Sequence, residues 1–178
     1  ARIWRDRGAD IGVIATGAIH TINKDATHRS VQTLDYARRM VQMHGLEDQV
    51  SLHGEMLCYA DLYILLCQCD LFCLPYTTKV PGNTSAGVMC LSFGKPVIVS
   101  DVPMFSDMIG ESALALESLT AQCIADTIQH MLVVDRPKFD QWSDKAKAGY
   151  EIRKPTAVAE LYRKMIYSAD PVAEEAVA

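Results

Sequence analysis

Residues 70–101 read DLFCLPYTTKVPGNTSAGVMCLSFGKPVIVSD, an order that admits few folds. The apolar run at 71–74 has strand length and stops at Pro75, which has no N–H to give to a ladder. A polar loop follows, with Thr77, Thr78, Lys79, Pro81 and Gly82. Asn83, Thr84 and Ser85 then stand where helix N-caps belong, just before Ala86, Val88, Met89 and Leu91. Gly94 closes that helix ahead of Pro96, and 97–99 form a second buried strand. In an open parallel sheet, a loop running from the carboxyl end of a strand into a helix start is where anions bind, because unpaired amides and the helix dipole converge there. Residues 82–87 are therefore a phosphate-site candidate: Gly82 and Gly87 let the backbone approach a ligand, and Lys79 and Lys95 are candidate cations.

The rest of the chain repeats the alternation of strand and helix. A charged helix at 1–8 ends at Gly8, and 11–19 is an apolar run expected as a strand buried on both faces. Gly17 and a loop at 20–29 lead to an amphipathic helix at 31–45, in which Leu34, Ala37, Met40, Val41 and Met43 recur at three and four. A strand at 49–52 exits at Gly54, and a helix at 58–69 is expected to turn Leu62, Ile64, Leu65 and Leu66 to the core. Beyond Asp101 come a loop with Pro103, a short helix at 106–109, a strand at 113–116 and a helix at 120–134. The last third, 135–178, reads as helical with Trp142, Tyr150, Leu161, Tyr162 and Met165 as packing residues, and its final stretch, VAEEAVA, as frayed. The pattern is that of an α/β protein with a Rossmann-like, doubly wound parallel sheet and C-terminal helices.

At 178 residues and 49% apolar, the chain suffices for one domain with a sizeable core. A net charge of −5 with dispersed basic residues gives no electrostatic footprint for nucleic acid or an anionic membrane. No apolar run approaches the roughly 20 residues needed to span a bilayer. The six cysteines lack the paired spacing of zinc sites, so no metal is expected. Set among apolar neighbours, they read as reduced, buried thiols of a reducing, cytoplasmic compartment.

His20 and His53 both stand at strand exits, where sites gather in such sheets. Asp101 is expected to cap the turn after the next strand and Asp107 to structure its loop. Local spacing assembles no Ser-His-Asp set or carboxylate pair, and no Walker or Gly-x-Gly-x-x-Gly loop is present, which removes support for hydrolase and dehydrogenase readings.

The strand ending in proline, the small-residue helix start and the segment GKPVIVSD resemble the donor-binding signature of the group 1 (family 4) glycosyltransferases, which have the GT-B fold. The segment GLEDQVSLHG resembles the part of that family that precedes its nucleobase-binding loop. The resemblance implies that residues 1–170 are the C-terminal, donor-binding half of a GT-B protein, without its first strand, and that 171–178 are a frayed tail. It places Gly82, Asn83, Thr84, Ser85, Ala86 and Gly87 over the donor diphosphate, with Gly54, Glu55 and Met56 at the edge of the nucleobase. Lys79, Pro81 and Met89 fall on the sugar or ribose side, and Gly17, His20 and His53 are further candidates. The family carries a Glu-x7-Glu motif whose glutamates fall at Pro81 and Met89, where this chain has no carboxylate.

The function implied is transfer of a hexose from a nucleoside diphosphate sugar, with no cofactor, to an acceptor held by an N-terminal domain of the same polypeptide. The fragment alone would bind without turnover. Membrane contact, if any, would come through parts outside this chain. Two other readings stay open: a catalytically inactive interaction domain, which the departures at Pro81 and Met89 favour, and a GT-B sugar-nucleotide epimerase.

Overall fold

The structure is a computed structural model that describes residues 1–8, 10–16, 24–55, 57–77 and 84–168. The chain divides into two compact units, Ala1–Asp70 with Ser118–Arg136, and Leu71–Glu117 with Pro137–Ala178. Parallel strands flanked by helices make both of them α/β, as the alternation in the sequence implies.

The first unit runs α1 (Arg2–Asp6), β1 (Val13–Thr16), α2 (Lys24–Met43), β2 (Val50–His53), α3 (Tyr59–Cys67) and, after the excursion into the second unit, α5 (Ala121–Gln129). β1 and β2 pair in parallel, Val13 opposite Val50 and Thr16 opposite His53. Helix α1 is fixed to α5 by an indole and a guanidinium: Trp4 Nε1 donates to the Ala125 carbonyl at 2.9 Å, and Arg7 reaches Asp126 at 2.6 Å and Gln129 at 2.8 Å. Hydrogen bonds from Gln122 and then Arg7 hold the Asp126 carboxyl below its ordinary range. Trp4, Ile11, Leu46, Ala125, Ile128 and Met131 are the buried apolar residues of this unit.

The second unit runs β3 (Phe72–Leu74), α4 (Ser85–Ser92), β4 (Val97–Ser100), a 3₁₀ turn (Pro103–Phe105), β5 (Leu114–Leu116), α6 (Arg136–Arg153) and α7 (Pro155–Ser168). Its sheet has the order β3-β4-β5, all parallel, with β4 central. A central strand covered on both faces must be apolar throughout, and every residue of β4 is buried. Leu91 and Cys90 of α4, Phe105, Met108, Ala113, Leu116, Trp142 and Ala146 complete the core. Helix α4 stops at Gly94, whose φ of 61° suits only glycine without strain and whose N–H donates to the Leu91 carbonyl at 2.9 Å.

Several sequence expectations are corrected. β1 is not buried on both faces: Ile14 is exposed, because the strand pairs only with β2 among the described residues. Helix α2 begins at Lys24, inside the stretch read as loop; Lys24, Asp25 and Ala26 form helix without an apolar period to announce it. The turn after β4 is a 3₁₀ turn at Pro103–Phe105 in place of a helix at 106–109, since proline takes the first helical position. The helix read at 120–134 ends at Gln129 and continues as a π-helical turn, His130–Val134.

Burial by α3 and by the last helix is corrected as well. None of the residues of α3 is buried, and Tyr59, Tyr63 and Ile64 are exposed. On α7, Leu161, Tyr162 and Met165 are exposed, whereas Trp142 on α6 is buried. Periodicity tells which side of a helix is apolar, and these two sides are open within their own units.

The cysteines are all free thiols, but Cys58 and Cys67 are exposed rather than buried, because Cys58 caps α3 and Cys67 ends it. Burial pushes the Cys73 thiol up to about 11. A thiol reagent at neutral pH is expected to modify Cys58 and Cys67 first and Cys73 and Cys90 last, with six thiols counted on denaturation. Rapid native modification of Cys90 would contradict this packing. No helix among the described residues is long and apolar enough to cross a membrane.

Candidate functional site

In the second unit, the start of α4 lies beyond the carboxyl end of β3. The chain leaves β3 through Pro75 and Tyr76, and two contacts hold it there. The Ser100 hydroxyl donates to the Tyr76 carbonyl at 2.6 Å, and the Tyr76 ring leans on Phe105 with centroids 5.4 Å apart. Ser100 comes from the buried end of β4, so the exit of β3 is tied to the fully buried central strand of the unit.

Thr84 is the N-cap residue of α4, with extended backbone, and its side chain makes no cap hydrogen bond. The amides of Ser85, Ala86 and Gly87 belong to the first turn, where an α-helix has no carbonyl of its own to offer them. Ser85 is exposed, and Thr84, Ala86 and Met89 are half-buried. These amides and the dipole of the helix make a donor set suited to an anion. Gly87 is buried, and a Cβ added to it would stand 2.9 Å from Met108 Sδ and 3.0 Å from Thr84 Cγ2. The absence of a Cβ thus lets α4 seat closely on Met108, a packing constraint that stands beside the ligand approach expected at this glycine.

Met89 lies off the side of α4 that carries the buried Gly87, Cys90 and Leu91. Lys95 falls in the turn between α4 and β4. Asp107 is loop-structuring: the Arg153 guanidinium on α6 donates to its carboxylate at 3.2 Å and to its backbone carbonyl. Asp101 is exposed in the turn after β4. Lys79, Pro81, Gly82 and Asn83 lie outside the described residues, as do Gly17, His20 and Met56.

In the first unit, β2 ends at His53 and the chain leaves it through Gly54 and Glu55. Gly54 is buried against α2, and a Cβ there would meet Leu34 Cδ2 at 2.1 Å. The His53 ring lies between two neighbours: Nε2 is 2.9 Å from the Ser51 hydroxyl and Nδ1 is 3.5 Å from Glu55 Oε1. The Glu55 carboxyl is held below the usual range, first by its own backbone N–H and then by the His53 ring. The carboxylate here is a glutamate two residues on, so this contact lies outside the Ser-His-Asp set considered in the sequence. The signal was present in the sequence, since Ser51, His53 and Glu55 alternate at the period of a strand face. Among the described residues no group of three or more His, Cys, Asp or Glu could hold a metal ion.

Parallel strands with helical crossovers and an anion-suited helix start after a strand place the chain among Rossmann-like α/β proteins. Residues 13–133 match the family described as "Glycosyl transferases group 1", and the chain belongs to that family. No curated protein matches the sequence. Among solved structures, the chain is similar to sucrose-phosphate synthase from Thermosynechococcus elongatus, with a TM-score of 0.63, 18% identity, and coverage of 87% of this chain and 38% of that one. It is also similar to Anabaena HepE in complex with UDP (TM-score 0.62, 17% identity, 94% of this chain and 52% of that one). A glycosyltransferase from Rickettsia africae gives a TM-score of 0.58 at 15% identity, over 93% of this chain and 42% of that one. At these identities the likeness shows the fold, the GT-B type of Rossmann-like α/β structure. The chain spans between 38% and 52% of the length of these structures.

Proposed function

We propose that residues 1–170 are the donor-binding domain of a GT-B glycosyltransferase that moves a hexose from a nucleoside diphosphate sugar to an acceptor held elsewhere in the polypeptide. The observation that carries this reading is the start of α4, with no side-chain cap from Thr84, beyond a β3 exit tied to β4 in a member of the group 1 family. The structures of HepE in complex with UDP and with UDP-glucose support a nucleoside diphosphate as the ligand class. As the bond from sugar to phosphate breaks, the leaving diphosphate gains charge, and amides already aimed at it stabilise the transition state more than the ground state.

A second reading, a catalytically inactive relative kept for interaction, is favoured by Pro81 and Met89 at the positions of the family's glutamates. Calorimetry of the chain against UDP, GDP and ADP, with wild type and Met89→Glu side by side, separates the two. Wild type should bind one of the three nucleotides. Met89 is half-buried and off the packed side of α4, so the carboxylate should be tolerated, accept ribose hydroxyls and strengthen binding by about tenfold. Binding of none of the three by either protein would overturn the proposal. A folded Met89→Glu protein without gain over a binding wild type would show that α4 is misaligned with the family motif.

A further inference from the structure

Within the second unit, three residues of α6 grip the segment on which the start of α4 is seated. Lys145, Gly149 and Arg153 recur at the four-residue spacing that stacks helix positions on one side. Lys145 Nζ donates to the Gly110 carbonyl at 2.8 Å. Gly149 is buried, and a Cβ there would stand 2.2 Å from Ser112 Cβ and 2.9 Å from Ser112 Oγ. Glycine weakens a helix interior and the φ of Gly149 is not positive, so its place in α6 answers to this close approach. Arg153, only 14% exposed, uses all three nitrogens of its fork. Nε donates to Asp107 Oδ2 at 3.2 Å, Nη2 to the Asp107 carbonyl, and Nη1 to the Gly149 carbonyl at 3.1 Å.

Met108 lies between these grips. Its N–H donates to the Phe105 carbonyl at 2.9 Å, and its carbonyl accepts from the N–H groups of Ser112 and Ala113 at 2.9 Å and from Ser112 Oγ at 3.4 Å. Its thioether occupies the space beside the Cα of Gly87, in the first turn of α4. That turn has no side-chain cap from Thr84, and a helix of eight residues takes its place from packing more than from propensity. We infer that Arg153, acting through Asp107 and Met108, sets the position of the first turn of α4 and is a positioning residue for the diphosphate, the last step resting on the donor-binding reading above. Arginine suits the task because its planar fork holds the carboxylate and the carbonyl of one residue together, whereas lysine is a point charge. Amides act on an anion only at hydrogen-bond distance, so a displaced first turn binds it less well.

The test combines amide hydrogen exchange with binding of inorganic pyrophosphate, which probes the amides of α4 without a nucleoside, to the whole chain as wild type, Arg153→Lys and Asp107→Asn. Val88, whose N–H donates to the Thr84 carbonyl at 3.3 Å, reports the first turn, and Ile98 and Val99 of β4 report opening of the unit as a whole. Arg153→Lys keeps the charge and loses the fork. It should speed exchange at Val88 at least about fivefold more than at Ile98 and Val99, and weaken pyrophosphate by about fivefold. Asp107→Asn keeps both acceptor oxygens and should give a smaller change. In a Met108→Ala background, Arg153→Lys should alter pyrophosphate affinity by less than about twofold, because the link to α4 is already cut. Equal acceleration at Val88 and in β4, or full pyrophosphate affinity in Arg153→Lys, overturns the inference while the donor-binding reading stands. If wild type binds neither pyrophosphate nor UDP, GDP or ADP, the donor-binding reading fails and the diphosphate role of Arg153 with it, whereas exchange at Val88 still decides whether Arg153 positions α4.

Discussion

Replacing Phe105 with alanine is expected to lower the stability of the second unit by about 3–5 kcal/mol, the range for deleting a fully buried aromatic ring. Phe105 has no exposed surface, and its backbone is held as firmly as its ring. Its N–H donates to the Val102 carbonyl at 2.9 Å, and its own carbonyl accepts from Met108 at 2.9 Å and Ile109 at 3.1 Å. The 3₁₀ turn therefore stays in place when the ring is removed, and a cavity remains that the neighbours cannot fill. Tyr76 loses the ring it leans on, so the chain leaving β3 keeps the Ser100 hydrogen bond without the ring contact.

Urea unfolding read by fluorescence measures the effect unit by unit, because the two tryptophans are divided between the units. In a Trp4→Phe background the emission comes from Trp142 of the second unit. The midpoint should fall sharply there, and pyrophosphate binding should fall with it. A loss under about 1 kcal/mol would mean that the turn after β4 is not part of the core.

What the sequence reveals of this fold follows from which forces act locally. β4 is legible because a strand covered on both faces must be continuously apolar, and α4 because Gly94 and Pro96 stop it. The N-terminal half of α2 is not, because Lys24, Asp25 and Ala26 carry no apolar stripe. Ile64, Leu161, Tyr162 and Met165 fail for the opposite reason. Their spacing is helical and apolar, but burial depends on what covers a helix, which no local pattern encodes. At the candidate site, the helix start after Thr84 is legible from the residue types that stand there, whereas the seat of Gly87 on Met108 joins residues 21 positions apart and needed the structure. The contact of Arg153 with Asp107 is missed for the same reason, at a separation of 46.

The second large effect is expected at Gly87, where packing and ligand approach make different claims on the same atom. Gly87→Val adds three carbons where a Cβ alone already stands 2.9 Å from Met108 Sδ, 3.2 Å from Met108 Cε and 3.0 Å from Thr84 Cγ2. The Met108 thioether can swing aside for one methyl, but not for a branched side chain in a buried position. Overpacking of this kind costs about 1–3 kcal/mol and is relieved by moving the start of α4, so nucleoside diphosphate affinity should fall by at least about tenfold. A cycle with Met108→Ala assigns the cause. That substitution is itself destabilising, since Met108 is buried, so each valine variant is compared with its own parent. If Gly87 is small in order to seat α4, valine should be nearly harmless to stability and to affinity once Met108 is shortened. If the ligand requires a bare Cα at that point, stability should recover in the double variant while affinity stays low. Full affinity in a folded Gly87→Val protein with Met108 intact would place the diphosphate away from α4, and the donor site would have to be sought elsewhere in the chain.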